Sequence, residues 1–171
     1  HDPCRFTDES VMSLAVCRAI LESGANVADL SEKAVQSMQE LGRRYPHGYG
    51  RNFKHWIFSD NPEPYGSYGN GAAMRVSACG YAGRNLDEVK MMAHKVTAVT
   101  HNHPEGIKGA EAVAVAVYLA YHGSPMREIQ DVIARQYYSM DFTLDAIRPW
   151  YRFDVSCQGS VPQALRAFFE S

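Results

Sequence analysis

Apolar side chains recur every three or four residues along most of this chain, the spacing that places them on one face of an α-helix. No convincing alternation of apolar and polar residues indicates a β-strand, so the pattern predicts an all-α protein. Two prolines and two glycines between residues 60 and 69 predict a loop there. Helices are predicted from Thr7 to about Gly24, from Asp29 toward Arg44, over 49–58, over 71–82, from Asn85 toward Thr100, over 106–121, from Ser124-Pro125 onward and from Ser160-Val161-Pro162-Gln163 onward.

Several predicted helices carry a recognisable start signal. Asp29 with Glu32 and Asn85 with Glu88 have the spacing of a capping box, in which two side chains satisfy backbone N–H groups reciprocally. Pro125 is expected at the first position of its helix, where a missing N–H has no effect. Segment 106–121 is apolar nearly all round, so we expect it at the centre of the helix bundle.

Length and composition describe an ordinary globular protein. The chain has 171 residues, which favours one domain covering 1–171, and it is 46% hydrophobic and 21% charged with a formal net charge of -2. No basic stripe indicates nucleic acid as the primary partner, and no apolar segment is long enough to cross a membrane. The four cysteines are scattered, without a Cys-x-x-Cys pair, which indicates reduced thiols and a cytoplasmic location.

The segment Gly66-Ser67-Tyr68-Gly69-Asn70-Gly71-Ala72-Ala73-Met74-Arg75 carries the clearest functional signal. Its three glycines allow the backbone to approach a ligand closely, and it leads into the helix predicted over 71–82. The unpaired N–H groups at a helix N-terminus favour an anion such as a phosphate. A glycine-rich loop is by itself most often a turn, so the prediction depends on two further segments.

One of these is acidic. Thr7, Asp8 and Glu9 place three oxygen-bearing side chains in a row at the start of a predicted helix. Consecutive helical positions point about 100° apart, so two carboxylates there do not both face an apolar core. The three residues could ligate a hard divalent cation, or Thr7 could cap the helix while the acids complement its dipole.

The other segment contains His101 and His103, just before Pro104. Two histidines at positions i and i+2 do not share a helix face, so a paired zinc site is disfavoured. His103 is expected to cap a carbonyl group or to be exposed. The aromatic residues between Tyr45 and Phe58 are expected in the core rather than against a ligand.

These three segments, in this order, resemble the ADP-ribosylglycohydrolase family, which includes the dinitrogenase reductase-activating glycohydrolases. The family pattern consists of a Thr-Asp-Asp-Thr metal motif, a Ser-x-Gly-Asn-Gly-x-x-Met-Arg ligand loop and a His-x-x-x-x-Gly segment. The match is unbroken over 66–75, and the resemblance extends from Cys4 to about Ser171. It implies an orthogonal multi-helix bundle that hydrolyses the glycosidic bond between ADP-ribose and a protein side chain or small acceptor.

The resemblance also implies roles for individual residues. It implies a dinuclear Mg²⁺ or Mn²⁺ site, for which this chain offers Thr7, Asp8 and Glu9, with Asp8 and Glu9 as the catalytic residues. It implies that Gly106 and Gly109 lie where helices pack closely. Contacts with the ligand are implied for Gly66, Ser67, Tyr68, Gly69, Asn70, Gly71 and His101.

The chain departs from the family pattern in two respects. Glu9 and Ser10 stand where the family has its second Asp and second Thr. The Asp-x-Asp-Thr motif that completes the family's metal site and an acid from a preceding helix have no counterpart in the sequence. From these departures we expect a domain that is incomplete at both termini, either as a fragment of a longer protein or as a natural form with a dismantled site, with impaired hydrolysis. We also expect an exposed apolar patch that pairs with a second copy or with a missing C-terminal segment.

Three functions therefore remain. The first is metal-dependent hydrolysis of an ADP-ribosyl bond. The alternative is a non-catalytic module or scaffold that binds ADP-ribose or an ADP-ribosylated protein. The third is a structural protein that uses the fold alone, since a fold does not fix a function. Turnover in the presence of magnesium distinguishes the first from the other two.

Overall fold

The computed structural model describes residues 6–24 and 27–171, and within these residues the secondary structure is helical. The predicted all-α fold is thereby confirmed. Short 3₁₀ turns cover Val27–Asp29 and Asn70–Ala72, and an isolated backbone bridge joins Gly69 to Ser156. The α-helices of the described part of the chain are α1 Asp8–Ser23, α2 Leu30–Arg44, α3 Arg51–Ile57, α4 Ser77–Ala82, α5 Leu86–Ala98, α6 Pro104–Tyr121, α7 Met126–Gln136, α8 Leu144–Ile147 and α9 Cys157–Phe169.

Helix α6 lies at the centre of the bundle, as its apolar sequence predicts. It packs against α4, α5, α7 and α9. Helices α1 and α2 pack on each other, and they contact the rest of the bundle through α4 and α5. Ala110, Ala112 and Ala114 on α6 are fully buried, and small side chains of this kind allow neighbouring helices to come close. Gly80 of α4 is an example, because a Cβ there would lie 2.6 Å from the carbonyl oxygen of Ala114.

The two predicted capping boxes have different outcomes. Asn85 caps α5, with its side-chain oxygen accepting a 2.9 Å hydrogen bond from the N–H of Glu88. Asp29 precedes α2 but makes no capping bond with its side chain, because residues Val27–Asp29 already form a 3₁₀ turn that leads into the helix. Pro125 occupies the capping position before α7 rather than its first helical position.

The helix predicted over 71–82 is wrong in its first half. The 3₁₀ turn Asn70–Ala72 is followed by further turn residues, and α4 begins only at Ser77. Gly69 and Gly71 disfavour a regular helix at this point. The start of the turn is also tied to a segment distant in sequence, because the N–H of Asn70 donates to the carbonyl oxygen of Val155 at 2.7 Å.

The start predicted for the last helix at Ser160 is also wrong. Helix α9 begins at Cys157, where Ser156 is the cap and its Oγ accepts a 3.0 Å hydrogen bond from the N–H of Gly159. Pro162 therefore lies inside the helix rather than near its first position. The short helix α8, capped by Thr143, was not predicted.

The thiols are unpaired where the structure describes them. Cys17, Cys79 and Cys157 are free, whereas Cys4 and Arg5 lie outside the described residues. Burial raises the pKa of Cys79 and of Cys157 to about 12, so both remain protonated and unreactive at neutral pH. In the described part of the chain, we find no helix with the length and apolarity that a membrane span requires.

Candidate functional site

A cleft of about 720 Å³ brings the three predicted segments together. Its walls are the start of α1, residues 48–53, the loop 65–75, His101 and the segment 153–155. Most of the predicted site residues line this cleft: Asp8, Glu9, Ser67, Gly69, Asn70, Gly71 and His101. Thr7, Gly66 and Tyr68 do not line it, and the ring of Tyr68 instead contacts His103 edge-on at 5.3 Å.

The glycine loop is held in place by several of its own N–H groups. The N–H of Gly66, at a φ of 65°, donates to Asn102 Oδ1 at 2.7 Å, and that of Gly69 donates to Ser67 Oγ at 3.1 Å. The N–H of Asn70 donates to Val155. The N–H groups of Ser67, Tyr68 and Gly71 have no acceptor among the residues that the structure describes. Ser67 and Gly71 also line the cleft, so the loop offers free amides around a short 3₁₀ turn, not the N-terminus of a long helix.

The side chain of Asn70 also has a structural contact. Its Nδ2 donates to Ser160 Oγ at 3.1 Å and to the carbonyl oxygen of Asp154 at 3.4 Å. Together with the Gly69–Ser156 bridge, these bonds attach the segment before α9 to the loop. Phe153, which is 90% exposed, is held at the edge of the cleft in this way.

Close packing of α6 determines where the loop lies. A Cβ at Gly106 would lie 2.7 Å from the carbonyl oxygen of Ser67, and a Cβ at Gly109 would lie 2.7 Å from Cys157 Sγ. Any larger residue at either position would force these segments apart. The close contacts expected at Gly106 and Gly109 are therefore present.

Arg75 is a site residue that the sequence reasoning did not single out. Its side chain is 1% exposed, and its Nη2 donates to Thr100 Oγ1 at 2.6 Å, while Nε has no partner in the described structure. No carboxylate of the described residues pairs with it, and burial lowers its pKa to about 10, so it remains a cation at neutral pH. Arg75 is the one charged residue in the run 72–79, and that isolated charge was the available signal.

His101 lies between Arg75 and the cleft. It is 5% exposed, its Nδ1 lies 2.7 Å from Thr100 Oγ1 and 3.4 Å from Arg75 Nη2, and its Nε2 faces the loop. A Cβ at Gly71 would lie 3.3 Å from that Nε2. Burial, and then the charge of Arg75, lower the pKa of His101 to about 2, so the ring is neutral.

The acidic wall of the cleft consists of Asp8 and Glu9. Burial, and then the charge of Glu9, raise the pKa of Asp8, whereas hydrogen bonds from Thr7 Oγ1 and from its own N–H lower the pKa of Glu9. No cationic side chain among the described residues pairs with either acid. Two carboxylates without a counter-ion fit part of a site for a hard divalent cation. A cluster of three His, Cys, Asp or Glu side chains is not found within 6–24 and 27–171.

His103 has a structural position outside the cleft. It caps α6, and its Nδ1 accepts a 3.1 Å hydrogen bond from the N–H of Glu105. The expectation that it caps a carbonyl group is wrong, because Pro104 starts the next helix directly after it and leaves N–H groups to be capped. Of the aromatic residues between Tyr45 and Phe58, Phe53 and Trp56 are buried as expected, but Phe58 is exposed. Tyr49 and Phe53 also line the cleft, so the expectation that this group lies away from a ligand site is wrong for these two residues.

Comparison with known proteins identifies the family. The sequence profile of the ADP-ribosylglycohydrolases matches residues 1–169. The chain belongs to the ADP-ribosylglycohydrolase family. The cleft described above contains the segments through which the sequence resembles that family.

Proteins named ADP-ribosylhydrolase ARH3 are similar in sequence to this family member. The chicken protein (Gallus gallus) is 32% identical over 137 residues and the human protein (Homo sapiens) 31% over 140 residues; both alignments include 72% of this chain. The frog protein (Xenopus tropicalis) is 31% identical over 134 residues, or 69% of the chain. The alignments include 37% of each of these relatives, so the chain matches little more than a third of their length.

A solved structure supports the fold of this family member. The chain described as "ADP-ribosylglycohydrolase-related protein complex" superimposes with a TM-score of 0.66 over 97% of this chain and 60% of its own length. Its sequence is 19% identical, so the similarity concerns the fold alone.

Proposed function

We propose that the cleft binds ADP-ribose. We also propose that the chain supplies this cleft to a hydrolase that acts on the glycosidic bond between ADP-ribose and a protein side chain or small acceptor. The observation that carries this proposal is the meeting of the three family segments in one cleft. An acidic wall at Asp8 and Glu9 and a loop backed by the buried cation Arg75 line the same space. A ligand with an anionic diphosphate and hydroxyl-rich sugars matches this arrangement of charge.

The loop would hold the anionic part of the ligand. The free N–H groups of Ser67 and Gly71 are donors beside the cleft, and the absence of side chains at Gly69 and Gly71 leaves room for the ligand near the backbone. The positive charge of Arg75, with no carboxylate partner in the described chain, favours a negative ligand nearby.

The acids would act at the glycosidic end of the ligand. Asp8 and Glu9, with Thr7 donating to Glu9, would hold Mg²⁺ or Mn²⁺ together with water and ligand hydroxyls. Such a cation, when bound, lowers the pKa of its water and stabilises developing charge. The carboxylates themselves would orient the attacking water by accepting its hydrogen bonds.

The test is hydrolysis of an ADP-ribosylated peptide by the purified chain with and without magnesium, alongside calorimetric titration with ADP-ribose. We expect ADP-ribose binding that is strongly weakened in Gly71→Val, and slow turnover that requires the metal. Absence of both binding and turnover in a folded sample would refute the proposal.

The second candidate function is ADP-ribose binding without hydrolysis. It is favoured by the acidic wall, which offers two carboxylates rather than a larger ligand set within the described residues. Magnesium held by few carboxylates retains most of its waters and is bound weakly. Binding of ADP-ribose without turnover at any magnesium concentration would support this alternative. The buried, protonated thiols are compatible with either function in a reducing compartment such as the cytoplasm.

A further inference from the structure

The imidazole of His101 lies in a chain of polar groups that runs from the core to the cleft. Arg75 Nη2 donates to Thr100 Oγ1 at 2.6 Å, and that oxygen lies 2.7 Å from His101 Nδ1. His101 Nε2 has no partner among the described residues, and it lies beside Gly69 and Gly71 in the lining of the cleft. The order of these groups determines which ring nitrogen carries the proton.

Arg75 is the fixed end of this row of hydrogen-bonded polar groups. A guanidinium has donors and no acceptor, so Thr100 Oγ1 must accept from it. The hydroxyl proton of Thr100 then has two possible acceptors, the carbonyl oxygen of Thr97 at 3.4 Å and His101 Nδ1 at 2.7 Å. The shorter contact is the better hydrogen bond.

The charge of Arg75 favours the same arrangement. Its Nη2 lies 3.4 Å from His101 Nδ1, so a proton on Nδ1 would point toward a cation, whereas a lone pair there is attracted to it. Two donors facing each other in a buried site lose hydrogen-bond energy on both sides.

We propose that Arg75 and Thr100 hold His101 as a neutral imidazole with its proton on Nε2, so that it serves as a fixed hydrogen-bond donor to an oxygen of the ligand. In this arrangement His101 is neither a general base nor a metal ligand through Nε2, because that nitrogen has no free lone pair. Arg75 and Thr100 are positioning residues that act through His101. The identity of the ligand rests on the proposed function above, but the state of the ring does not.

The surroundings of His101 support a ring that does not titrate near neutral pH. Burial and the charge of Arg75 both lower its pKa. Tyr65, whose ring centre lies 5.9 Å away, is also neutral, because burial raises its pKa to about 12. Asp8 and Glu9 line the same cleft but make no hydrogen bond with the imidazole.

Long-range ¹H–¹⁵N correlation spectra of the labelled chain distinguish the two tautomers and the imidazolium directly. His101 is assigned by comparison with His101→Gln. We expect the Nε2–H tautomer throughout pH 5–8. An Nδ1–H tautomer, or protonation of His101 within that range, would overturn the proposal. The tautomer is read on the wild-type protein, and the variant serves only to assign the resonance.

Variants of Thr100 provide the matched test. Thr100→Val has nearly the same shape but no hydroxyl, so we expect a mixed tautomer and ADP-ribose affinity about fivefold weaker, the effect of one lost hydrogen bond. Thr100→Ser keeps the hydroxyl and should restore both. A folded Thr100→Val that keeps the full Nε2–H population and wild-type affinity would contradict the proposal.

The side chain at position 101 tests the donor itself. His101→Gln places an amide N–H₂ near the position of Nε2, and His101→Leu removes the donor. We expect Gln to retain more ADP-ribose affinity than Leu, and equal losses would contradict the donor role. If the wild-type chain shows the Nε2–H tautomer and yet does not bind ADP-ribose, the tautomer assignment stands and the proposed function fails.

Discussion

At the scale of single residues, the cleft combines a cation without a carboxylate partner and two acids without a cationic partner, within the described part of the chain. Arg75 is buried behind the glycine loop, and Asp8 and Glu9 line the cleft at the start of α1. Burial disfavours the charged forms of Arg75 and Asp8, and buried charges without a partner are typical of positions kept for a ligand. Glycines at 69 and 71 keep the space beside these charges open.

Substitution of Gly71 tests the open space of the loop. A Cβ there would lie 3.3 Å from His101 Nε2, so Gly71→Val should fill the cleft beside the imidazole and weaken ADP-ribose binding at least tenfold. Gly71→Ala adds only the Cβ and should show a smaller loss. Calorimetric titration measures both, and a thermal melt establishes that each variant is folded. Equal affinity in the wild type and Gly71→Val would remove the loop from the binding site.

Substitution of Asp8 separates stability from activity. Because the pKa of Asp8 is raised above its unfolded value, ionisation of this carboxyl disfavours folding, and that effect is present at pH values above the raised pKa. We therefore expect Asp8→Asn to melt at the same or a higher temperature at pH 7 without metal, while magnesium-dependent turnover is lost.

Asp87→Asn is the matched control for this experiment. Asp87 is an exposed acid in the first turn of α5, where it complements the helix dipole and lies away from the cleft. Its substitution should lower the melting temperature slightly and leave turnover unchanged. A marked fall in the melting temperature of Asp8→Asn would show that this acid has a stabilising role.

At the scale of helices and loops, the site depends on how α6 and α9 approach the loop. Gly106 lets the start of α6 reach the carbonyl oxygen of Ser67, and Ser156 starts α9 beside the bridge to Gly69. The loop conformation is thus fixed by helices that lie far from it in sequence. Local helix propensity has little influence there.

Gly106 should be sensitive to the smallest possible enlargement. A Cβ at this position would lie 2.7 Å from backbone, which cannot move aside easily, so we expect Gly106→Ala to destabilise the fold by about 1–3 kcal/mol. The same change at Gly50 is the control, because a Cβ there meets nothing within 4 Å and the backbone φ is -62°. Urea denaturation compares the two variants. A loss at Gly106→Ala no larger than at Gly50→Ala would contradict the close contact.

The two capping boxes provide a second test at this scale. Asn85 hydrogen-bonds the N–H of Glu88, so Asn85→Ala should destabilise the protein by about 1 kcal/mol. Asp29 makes no capping bond, so Asp29→Ala should change the free energy of unfolding by less than about 0.5 kcal/mol. Denaturant unfolding of both variants gives the comparison. Equal losses would show that Asp29 caps α2 in solution.

At the scale of the whole molecule, an apolar surface lies on the bundle between α4, α6 and α9. Tyr81 and Tyr121 are exposed and contact each other edge-on at 5.1 Å, and Phe168 lies beside the same shallow groove. Exposed apolar patches of this kind commonly mark contact with another molecule. The exposed surface expected from the sequence is therefore present, whereas its association with a second copy stays a prediction.

Light scattering at micromolar concentration tests that prediction. We expect reversible self-association of the wild-type chain, reduced in Tyr121→Gln because a polar side chain would then lie in the patch. Leu21→Gln is the control, since Leu21 is an exposed apolar residue on α1, outside the groove. A monomeric wild type, or equal effects of the two substitutions, would contradict association through this surface.

The sequence by itself determined the helical class, the central position of α6, the cap at Asn85 and the family. These features depend on local periodicity and on short motifs, whose signals lie within a few neighbouring residues. The sequence also predicted that segments 7–10, 66–75 and 101–106 share a site, through the resemblance to the family.

Only the tertiary structure decided how the groups within the site are arranged. The N–H of Asn70, at the start of the turn Asn70–Ala72, donates to Val155, and Ser156, at the start of α9, is bridged to Gly69, so contacts between segments far apart in sequence hold these elements beside the cleft. The burial of Arg75 behind His101 has the same origin. A charge in an apolar run marks Arg75 as an unusual residue in the sequence. Its hydrogen-bond partners lie in α5 and in the residues that follow α5, and only packing brings them to Arg75.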